Sequence, residues 1–165
     1  MHNLAQAKAA MGTRVLVVET DMRSNGRKNH DTFNQDFELG LSDLLTSENL
    51  AIKQAIHKSN LEDNLFILSS GSFDRNIDTS KLLSSPKMRN LMEKLQQHFD
   101  LVIYDVAPVI DYADVSLLAA KTEGIILVAG LGKLQVLKLK EAINQLNISR
   151  IPMLGVVINK LTPSV

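Results

Sequence analysis

The chain has 165 residues, of which 45% are hydrophobic and 22% are charged, a composition that predicts one globular domain over residues 1–165. Eighteen Lys and Arg residues balance eighteen Asp and Glu residues, so no overall charge draws the protein to nucleic acid or to an anionic membrane. Cysteine is absent, which excludes disulfides and thiolate metal sites, and the aromatic content of 4% disfavours stacking on single-stranded nucleic acid.

Membrane insertion is not expected from the sequence. No apolar run reaches the roughly 18 residues that a membrane-spanning helix requires. The N-terminal sequence MHNLAQAKAAMG also lacks the long apolar stretch of a secretory signal. We therefore expect a cytoplasmic protein.

Short apolar runs alternate along the chain with longer segments of helical spacing. The apolar runs are rich in β-branched residues, as in strands that are buried on both faces of a parallel sheet. In chain order we predict a helix over residues 3–11, a strand over 14–18, a surface loop over 24–37, a strand over 65–68, a polar stretch over 69–80, a helix over 88–99, a strand over 101–104, a helix over 113–120, a strand over 124–129, a helix over 134–146 and a strand over 154–158.

This alternation predicts an α/β fold with a doubly wound, mainly parallel sheet and helices on both faces. Ligands of such sheets bind beyond the carboxyl ends of the strands. We therefore expect functional residues just after Val18, Tyr104, Ala129 and Ile158.

A triplet of charged residues, Glu19, Asp21 and Arg23, directly follows the predicted strand RVLVV. Two carboxylates at a strand end can hold Mg²⁺ or orient a nucleophile, because hard cations prefer oxygen ligands. A solvated turn after a buried strand explains the same residues and is the simpler interpretation of the triplet alone.

Asp105 follows the predicted strand LVIY and is a further carboxylate at a strand end. Nucleotide hydrolases and kinases use such an aspartate to bind Mg²⁺ directly or through water. The alternative is a structural role, in which Asp105 caps the turn or the next helix.

Two other strand ends carry an amide and a glycine-rich run. Asn159 follows the strand LGVVI, where its side chain can pair with the edge of a base, although an ordinary exit from the strand is the simpler interpretation. The run GLGK over residues 130–133 is not a phosphate loop, because that motif reads G-x-x-x-x-G-K-[ST] and residue 134 is leucine.

The order of these motifs resembles the cytoplasmic domain of the bacterial tyrosine autokinases that regulate polysaccharide chain length, within the deviant-Walker class of P-loop ATPases. The stretch NLAQAKAAMGTRVLVVETDMR resembles their first helix, second strand and modified Walker motif. The stretch KLLSSPKMRNLMEKLQQHFDLVIYDVAP resembles their helix and Walker B strand. The segments ELGLSDLL, DVSLLAAKTEGIILVAGLGK and LGVVINKL complete the order, so the resemblance covers nearly the whole chain.

The resemblance implies a role for each strand-end residue. Glu19 and Asp21 fall on the two acidic positions of the modified Walker motif, and we expect them to be catalytic. Asp105 falls on the Walker B aspartate that binds Mg²⁺ through water, and we expect Asp21 to be a second metal-binding carboxylate. Arg23 falls on the basic position and Asn159 on the asparagine that contacts adenine, so both are expected to bind the cofactor, Mg·ATP.

The sequence also departs from the family. The 165 residues contain no Gly-rich loop ending in Gly-Lys-Ser/Thr, which in the family precedes the helix that begins here near Asn3. Glu19 stands where the family has aspartate, and Tyr104 and Tyr112 are the only tyrosines, so the C-terminal tyrosine cluster is missing. We therefore expect a domain that is N-terminally truncated relative to the family, with an unpaired strand edge and little or no kinase activity alone.

The function implied by the resemblance is that of a truncated or degenerate tyrosine autokinase-like domain in exopolysaccharide or capsule biosynthesis. One alternative is a fragment of an active ATP-dependent protein-tyrosine kinase, and another is a relative of the partitioning ATPases that acts as a protein-binding module. The expected partner is a membrane chain-length or transport protein of polysaccharide export, or a second copy of the chain, at the inner face of the membrane. Nucleic acid is not an expected partner.

Overall fold

A computed structural model of the chain describes residues 1–22, 38–71, 78–110, 114–130, 136–148, 150 and 152–159. The chain divides into two compact units, Met1–Val106 and Ala107–Val165. The loop predicted over residues 24–37 lies outside the described residues, as does the middle of the polar stretch predicted over 69–80. That the whole chain is one domain stays a prediction.

The first unit is built from helices and strands that alternate in the order expected of an α/β fold. In chain order the described elements are α1 (His2–Ala10), β1 (Val15–Glu19), α2 (Leu41–Thr46), α3 (Ile52–Ala55), β2 (Ile56–Lys58), β3 (Leu65–Leu68), α4 (Thr79–Leu83), α5 (Pro86–His98) and β4 (Leu101–Asp105).

The sheet of the first unit has the strand order β2-β3-β1-β4. β1 pairs in parallel with both β3 and β4, which confirms the predicted parallel core of the sheet. The short strand β2 pairs antiparallel with β3 at the edge and was not predicted, because three residues carry too little periodicity to indicate a strand. On its other edge β4 has no strand neighbour among the described residues.

Both faces of β1 are covered. Val15 and Val17 of β1 cluster with Ala5 and Ala9 of α1, and Leu101 and Ile103 of β4 pack against the same cluster. Alternate residues of a strand point to opposite faces, so Leu16 and Val18 face away from α1, and both are completely buried. A strand buried on both faces explains why the run VLVVE is continuously apolar up to its last residue.

Helix α5 buries the apolar stripe that its sequence predicts, made of Met88, Leu91, Met92 and Leu95. The helix begins where the sequence indicates: Ser85 is the N-cap and its hydroxyl accepts a hydrogen bond from the Met88 amide at 3.1 Å. Proline at the first helical position, Pro86, lacks the amide that would otherwise be unsatisfied there.

The described elements of the second unit are α6 (Asp114–Ala119), β5 (Ile125–Gly130), α7 (Val136–Ile148) and β6 (Met153–Asn159). β5 and β6 pair in parallel, as the sequence predicts, and they form a two-stranded sheet separate from the sheet of the first unit. Large apolar side chains on this sheet are exposed, among them Val128 at 56% and Ile158 at 64%. None of the described helices is both long and apolar enough to cross a bilayer.

Candidate functional site

The carboxyl edge of the first sheet brings two acidic residues side by side. Glu19 ends β1, Asp105 ends β4, and the two are partners in the parallel ladder. They share the parity of Val17 and Ile103, so they lie on the α1 face of the sheet. Neighbouring strands are about 4.8 Å apart, which puts the two side chains next to each other.

Thr20 joins the ends of these two strands. Its backbone amide donates to the Asp105 carbonyl at 2.9 Å, and its hydroxyl donates to the same oxygen at 2.7 Å. The residue is only 1% exposed. The sequence did not single out Thr20, since a threonine between two acidic residues carries no local sign that it bonds a residue 85 positions away.

Asp21 follows Thr20 in a tight turn. The Met22 amide donates to the Thr20 carbonyl at 3.0 Å, so Asp21 occupies the centre of a three-residue turn. Its charge lies close enough to Asp105 to raise the pKa of that carboxyl. The structure therefore brings together three of the predicted residues, Glu19, Asp21 and Asp105.

The carboxyl of Asp105 has a raised pKa. Burial is the largest cause, because it disfavours the charged form, and the nearby carboxylate of Asp21 raises the pKa further. The positive α-amino group of Met1 acts in the opposite direction and lowers it. A buried carboxyl beside a second carboxylate is an arrangement that a bound cation would stabilise.

Helix α1 begins at this edge, since Met1 packs against the α1 cluster and its amino group acts on Asp105. The N-terminus of a helix carries unsatisfied amides and a partial positive charge, which suit a phosphate. Mg²⁺ in nucleotide sites is held by one or two carboxylates together with waters and phosphate oxygens. Asp21 and Asp105 fit that donor set, and no group of three potential ligands occurs among the described residues.

A second feature of this edge is the attachment of α2 to the end of β3. The Leu41 amide donates to the Ser69 carbonyl at 2.8 Å, and the Ser42 amide donates to the Ser70 carbonyl at 3.0 Å. The Asp43 carboxylate accepts a hydrogen bond from the Gly40 amide at 2.9 Å, which caps α2. The segment ELGLSDLL is thereby held at the carboxyl edge of the sheet.

Two glycines permit this attachment. A Cβ atom on Gly40 would lie 2.3 Å from the Gly71 backbone nitrogen, so no larger residue fits without moving the main chain. Gly71 has a φ of +83°, in the left-handed region that favours glycine. The sequence shows both glycines, but nothing in it indicates that they touch.

Two further residues were predicted to bind the cofactor, Arg23 and Asn159. Arg23 is outside the described residues. Asn159 is the exposed last residue of β6, in the second unit, where it is the ladder partner of Gly130. Gly130 ends β5, and the rest of the GLGK run is outside the described residues. The roles of Arg23 and Asn159 stay predictions.

Relatives of this chain are bacterial proteins. Residues 1–149 match the family model of the AAA domain. The protein EpsB of Ralstonia solanacearum is 35% identical over 162 residues, which are 98% of this chain and 21% of EpsB. The tyrosine-protein kinase YwqD of Bacillus subtilis (strain 168) is 31% identical over 157 residues, 95% of this chain and 64% of YwqD.

The succinoglycan biosynthesis transport protein ExoP of Rhizobium meliloti (strain 1021) is 29% identical over 159 residues, 96% of this chain and 20% of ExoP. The chain thus spans about a fifth of the length of EpsB and of ExoP.

The fold is also that of a solved kinase domain. The kinase domain of the Escherichia coli tyrosine kinase ETK superposes with a TM-score of 0.85 at 24% identity, over 98% of this chain and 61% of that one. The predicted α/β fold of the P-loop NTPase type is confirmed. The chain therefore belongs to the AAA domain family, and its relatives include bacterial tyrosine-protein kinases.

Proposed function

We propose that this domain supplies the carboxylate side of a Mg·ATP site in a protein-tyrosine kinase of bacterial polysaccharide biosynthesis. The observation that carries the proposal is the meeting of Glu19, Asp21 and Asp105 at the carboxyl edge of the sheet, beside the N-terminus of α1. Relatives named as a tyrosine-protein kinase and as a succinoglycan biosynthesis transport protein support the reaction and its setting.

Each residue has a distinct task in this proposal. Asp105 and Asp21 would be the two carboxylates that hold Mg²⁺, and Asp21 would also orient the attacking tyrosine hydroxyl. Glu19 is 5% exposed beside Asp105 and would add negative charge to this edge of the sheet. Arg23 and Asn159 stay predicted cofactor-binding residues, on the resemblance alone.

Phosphoryl transfer depends on positioning and charge more than on covalent chemistry by the protein. When bound, Mg²⁺ would neutralise charge on the phosphate oxygens. The chain's own contribution is to hold Asp105 at the end of β4 and Asp21 in the turn after β1, because the parallel pairing of these two strands brings both residues to one edge of the sheet. Burial disfavours the charged form of Asp105 and raises its pKa, so a bound cation would stabilise the ionised carboxylate.

The 165 residues do not include a phosphate loop, which is the other part of a Mg·ATP site of this kind. A phosphate loop supplies a lysine and several backbone amides to the β- and γ-phosphates, and no G-x-x-x-x-G-K-[ST] run occurs in the 165 residues. Loss of one preorganised donor typically costs about 2.7–4 kcal/mol of transition-state stabilisation. We therefore expect these 165 residues alone to transfer phosphate very slowly.

The proposed partner is a membrane transport or chain-length protein of polysaccharide export, reached at the inner face of the membrane, or a second copy of the chain. The support is the likeness to ExoP, a transport protein of which this chain matches about a fifth. ATP is a cytoplasmic substrate, which favours that side of the membrane.

Calorimetric titration of the 165-residue chain with Mg·ATP, paired with a phosphotransfer assay, tests the proposal. We expect weak binding that Asp105→Asn and Asp21→Asn reduce further, because each removes a carboxylate from the metal. Asp63→Asn is the matched control, since Asp63 is exposed and pairs with Lys58 away from this edge. Equal Mg·ATP affinity in all three variants and the wild type would remove the basis of the proposal.

The alternative of an active kinase fragment makes a separate prediction. If codons in frame upstream of Met1 encode a Gly-Lys-Ser/Thr loop, the longer product should phosphorylate tyrosine and lose that activity on Asp105→Asn. A longer product that contains the loop and transfers no phosphate would count against the kinase reaction itself. Binding to partition proteins without any polysaccharide-export partner would favour the partitioning alternative.

A further inference from the structure

Thr20 joins the backbones of Asp21 and Asp105, the two residues whose carboxylates are proposed to bind the metal. On one side, its amide and its hydroxyl both donate to the Asp105 carbonyl, at 2.9 and 2.7 Å. On the other side, its carbonyl accepts from the Met22 amide at 3.0 Å and so closes the turn that holds Asp21. Every polar group of Thr20 is therefore engaged within these few residues.

The two bonds to one oxygen have different consequences. The hydrogen bond from the Thr20 amide continues the β1–β4 ladder by one residue beyond the partners Glu19 and Asp105. The hydrogen bond from the Thr20 hydroxyl is not part of the ladder. It fixes both the side chain of Thr20 and the orientation of the Asp105 peptide group. Since the peptide orientation limits where the Asp105 side chain can point, the hydroxyl acts on the carboxylate through the backbone.

Burial makes this hydroxyl bond hard to replace. Thr20 is 1% exposed, so a hydroxyl that lost its acceptor would have no water to bond, at a cost of about 1–3 kcal/mol. Threonine also suits the position because its β-branched side chain is favoured in extended backbone. Its hydroxyl proton is committed to the Asp105 carbonyl, so the residue is not itself a donor to a nucleotide.

We propose that Thr20 is a positioning residue, whose hydroxyl sets the separation of the Asp21 and Asp105 carboxylates so that one cation contacts both. This inference rests on the proposed Mg·ATP site. It assigns a role to Thr20, which lies between Glu19 and Asp21 in the sequence, that these two acidic residues alone do not explain.

Three variants isolate the hydroxyl. Thr20→Val keeps the branched shape and removes the donor, whereas Thr20→Ser keeps the donor and removes the methyl group. Thr122→Val is the matched control, because the Thr122 hydroxyl likewise bonds a backbone carbonyl, that of Ala119 at 3.0 Å, in the second unit. Thr20→Ala is the second hydroxyl-free variant, for use if Thr20→Val does not fold.

The first measurement is amide hydrogen exchange without metal. We expect Thr20→Val to speed exchange at positions 20 and 22 by about tenfold, the factor typical for loss of one hydrogen bond, with Ile103 in the middle of β4 unchanged. Thr20→Ser and Thr122→Val should stay within about twofold of the wild type at these positions. Unchanged exchange in the hydroxyl-free variants would overturn the proposal.

The second measurement uses Mn²⁺ as a paramagnetic substitute for Mg²⁺, because both favour carboxylate oxygens. In the wild type the amide signals of Asp21 and Asp105 should broaden at the same Mn²⁺ concentration. In Thr20→Val we expect about tenfold weaker binding, and in Thr20→Ser binding near that of the wild type. Wild-type Mn²⁺ affinity in both hydroxyl-free variants would overturn the positioning role.

The two measurements separate this inference from the proposed function. If Mn²⁺ broadens neither signal in the wild type, the metal-binding part of the proposed function fails and so does the role of Thr20 toward a cation. If Mn²⁺ binds the wild type, binds the hydroxyl-free variants about tenfold more weakly, and exchange at positions 20 and 22 responds only to loss of the hydroxyl, both stand. If Mn²⁺ binds but the Thr20 variants behave as the wild type, the proposed function stands and the positioning role does not.

Discussion

Asp105, at the carboxyl edge of the first sheet, lies where its negative charge reduces the stability of the fold. A carboxylate that is half-buried beside another carboxylate destabilises the fold when it is ionised, because the unfolded chain lets it ionise in water. Asp105 is in that position, next to Glu19 in the ladder and near Asp21. Functional sites commonly carry such unfavourable groups, which a ligand then stabilises.

The sign of the effect on stability follows from the raised pKa of Asp105. Between its ordinary value of 3.8 and the raised folded-state pKa, the native state binds more protons than the unfolded state, so stability falls as pH rises through that range. Above it the penalty is complete. Asp105→Asn should therefore raise the free energy of unfolding at pH 7 by on the order of 1 kcal/mol, with the gain disappearing below about pH 3.8.

Urea denaturation of both proteins across this pH range measures the effect. Asp63→Asn is the comparison, because the hydrogen bond and charge of Lys58 lower the pKa of the Asp63 carboxyl, so this variant should not stabilise the protein. A loss of stability in Asp105→Asn at pH 7 would show that Asp105 makes hydrogen bonds worth more than its burial costs.

Helix α2 depends on the close approach of its N-terminal backbone to the end of β3. The helix has six residues, too few to be stable alone, and it is held by backbone bonds to Ser69 and Ser70 at the end of β3. Gly40 and Gly71 bring the two backbones together there. The element is therefore tertiary in origin, which explains why its sequence alone did not predict it.

Replacement of Gly40 by alanine should detach α2. The added Cβ would meet the Gly71 nitrogen at 2.3 Å and the Ser69 carbonyl oxygen at 2.5 Å, both main-chain atoms that cannot rotate away. We expect Gly40→Ala to lower the free energy of unfolding by about 2–3 kcal/mol, as overpacking does. Gly155→Ala is the control, since nothing lies within 4 Å of its added Cβ and its φ is not positive. Equal stability of the two variants would show that the backbones separate easily.

Helix α5 offers a contrasting case, in which local sequence is decisive. The Ser85 hydroxyl caps the helix by accepting from the Met88 amide. Ser85→Ala should cost about 1 kcal/mol of unfolding free energy, the usual loss for a removed N-cap. The neighbouring Ser84 hydroxyl donates to the Lys81 carbonyl at an exposed position, so Ser84→Ala should change stability by less than about 0.5 kcal/mol. Thermal and urea unfolding of the pair would reveal any reversal of this order.

At the level of the whole molecule, the two sheets differ in how well they are covered. Val17 of β1 is completely buried, whereas Val128 of β5 is 56% exposed. Parallel strands are ordinarily buried on both faces, so the exposed apolar side chains of β5 and β6 are unusual for their type. We therefore expect the apolar side chains of β1 to contribute more to the free energy of unfolding than those of β5.

Valine-to-threonine substitutions compare the two sheets at nearly constant volume. Val17→Thr places a hydroxyl in the core and should cost about 1–3 kcal/mol, because the buried hydroxyl has no water to bond. Val128→Thr should change the free energy of unfolding by less than about 0.5 kcal/mol, since the new hydroxyl is solvated. Chemical denaturation of the 165-residue chain measures both. A large cost at Val128 would show that this face is covered in solution.

Much of the architecture follows from periodicity that is local in the chain. Strands β1, β3, β4, β5 and β6 and helix α5 lie within a residue or two of their predicted positions, because apolar runs and stripes mark all of them. The apolar residues of β1 are buried, as predicted, whereas several of those of β5 and β6 are exposed. The acidic residues after β1 and at the end of β4 were also evident, since any polar residue at the end of an apolar run stands out. Arg23 and Asn159 rest on the resemblance alone.

By itself, then, the sequence determined the fold class and the candidate carboxylates, because these depend on residue types at short and regular spacing, and the family followed from the resemblance of its motifs in their order. The tertiary structure alone decided that Glu19 lies opposite Asp105, that Thr20 bonds the Asp105 carbonyl, and that Gly40 touches Gly71. These contacts join residues about 30 to 86 positions apart. They arise from the register of strands and the approach of backbones, for which a single sequence carries no local signal.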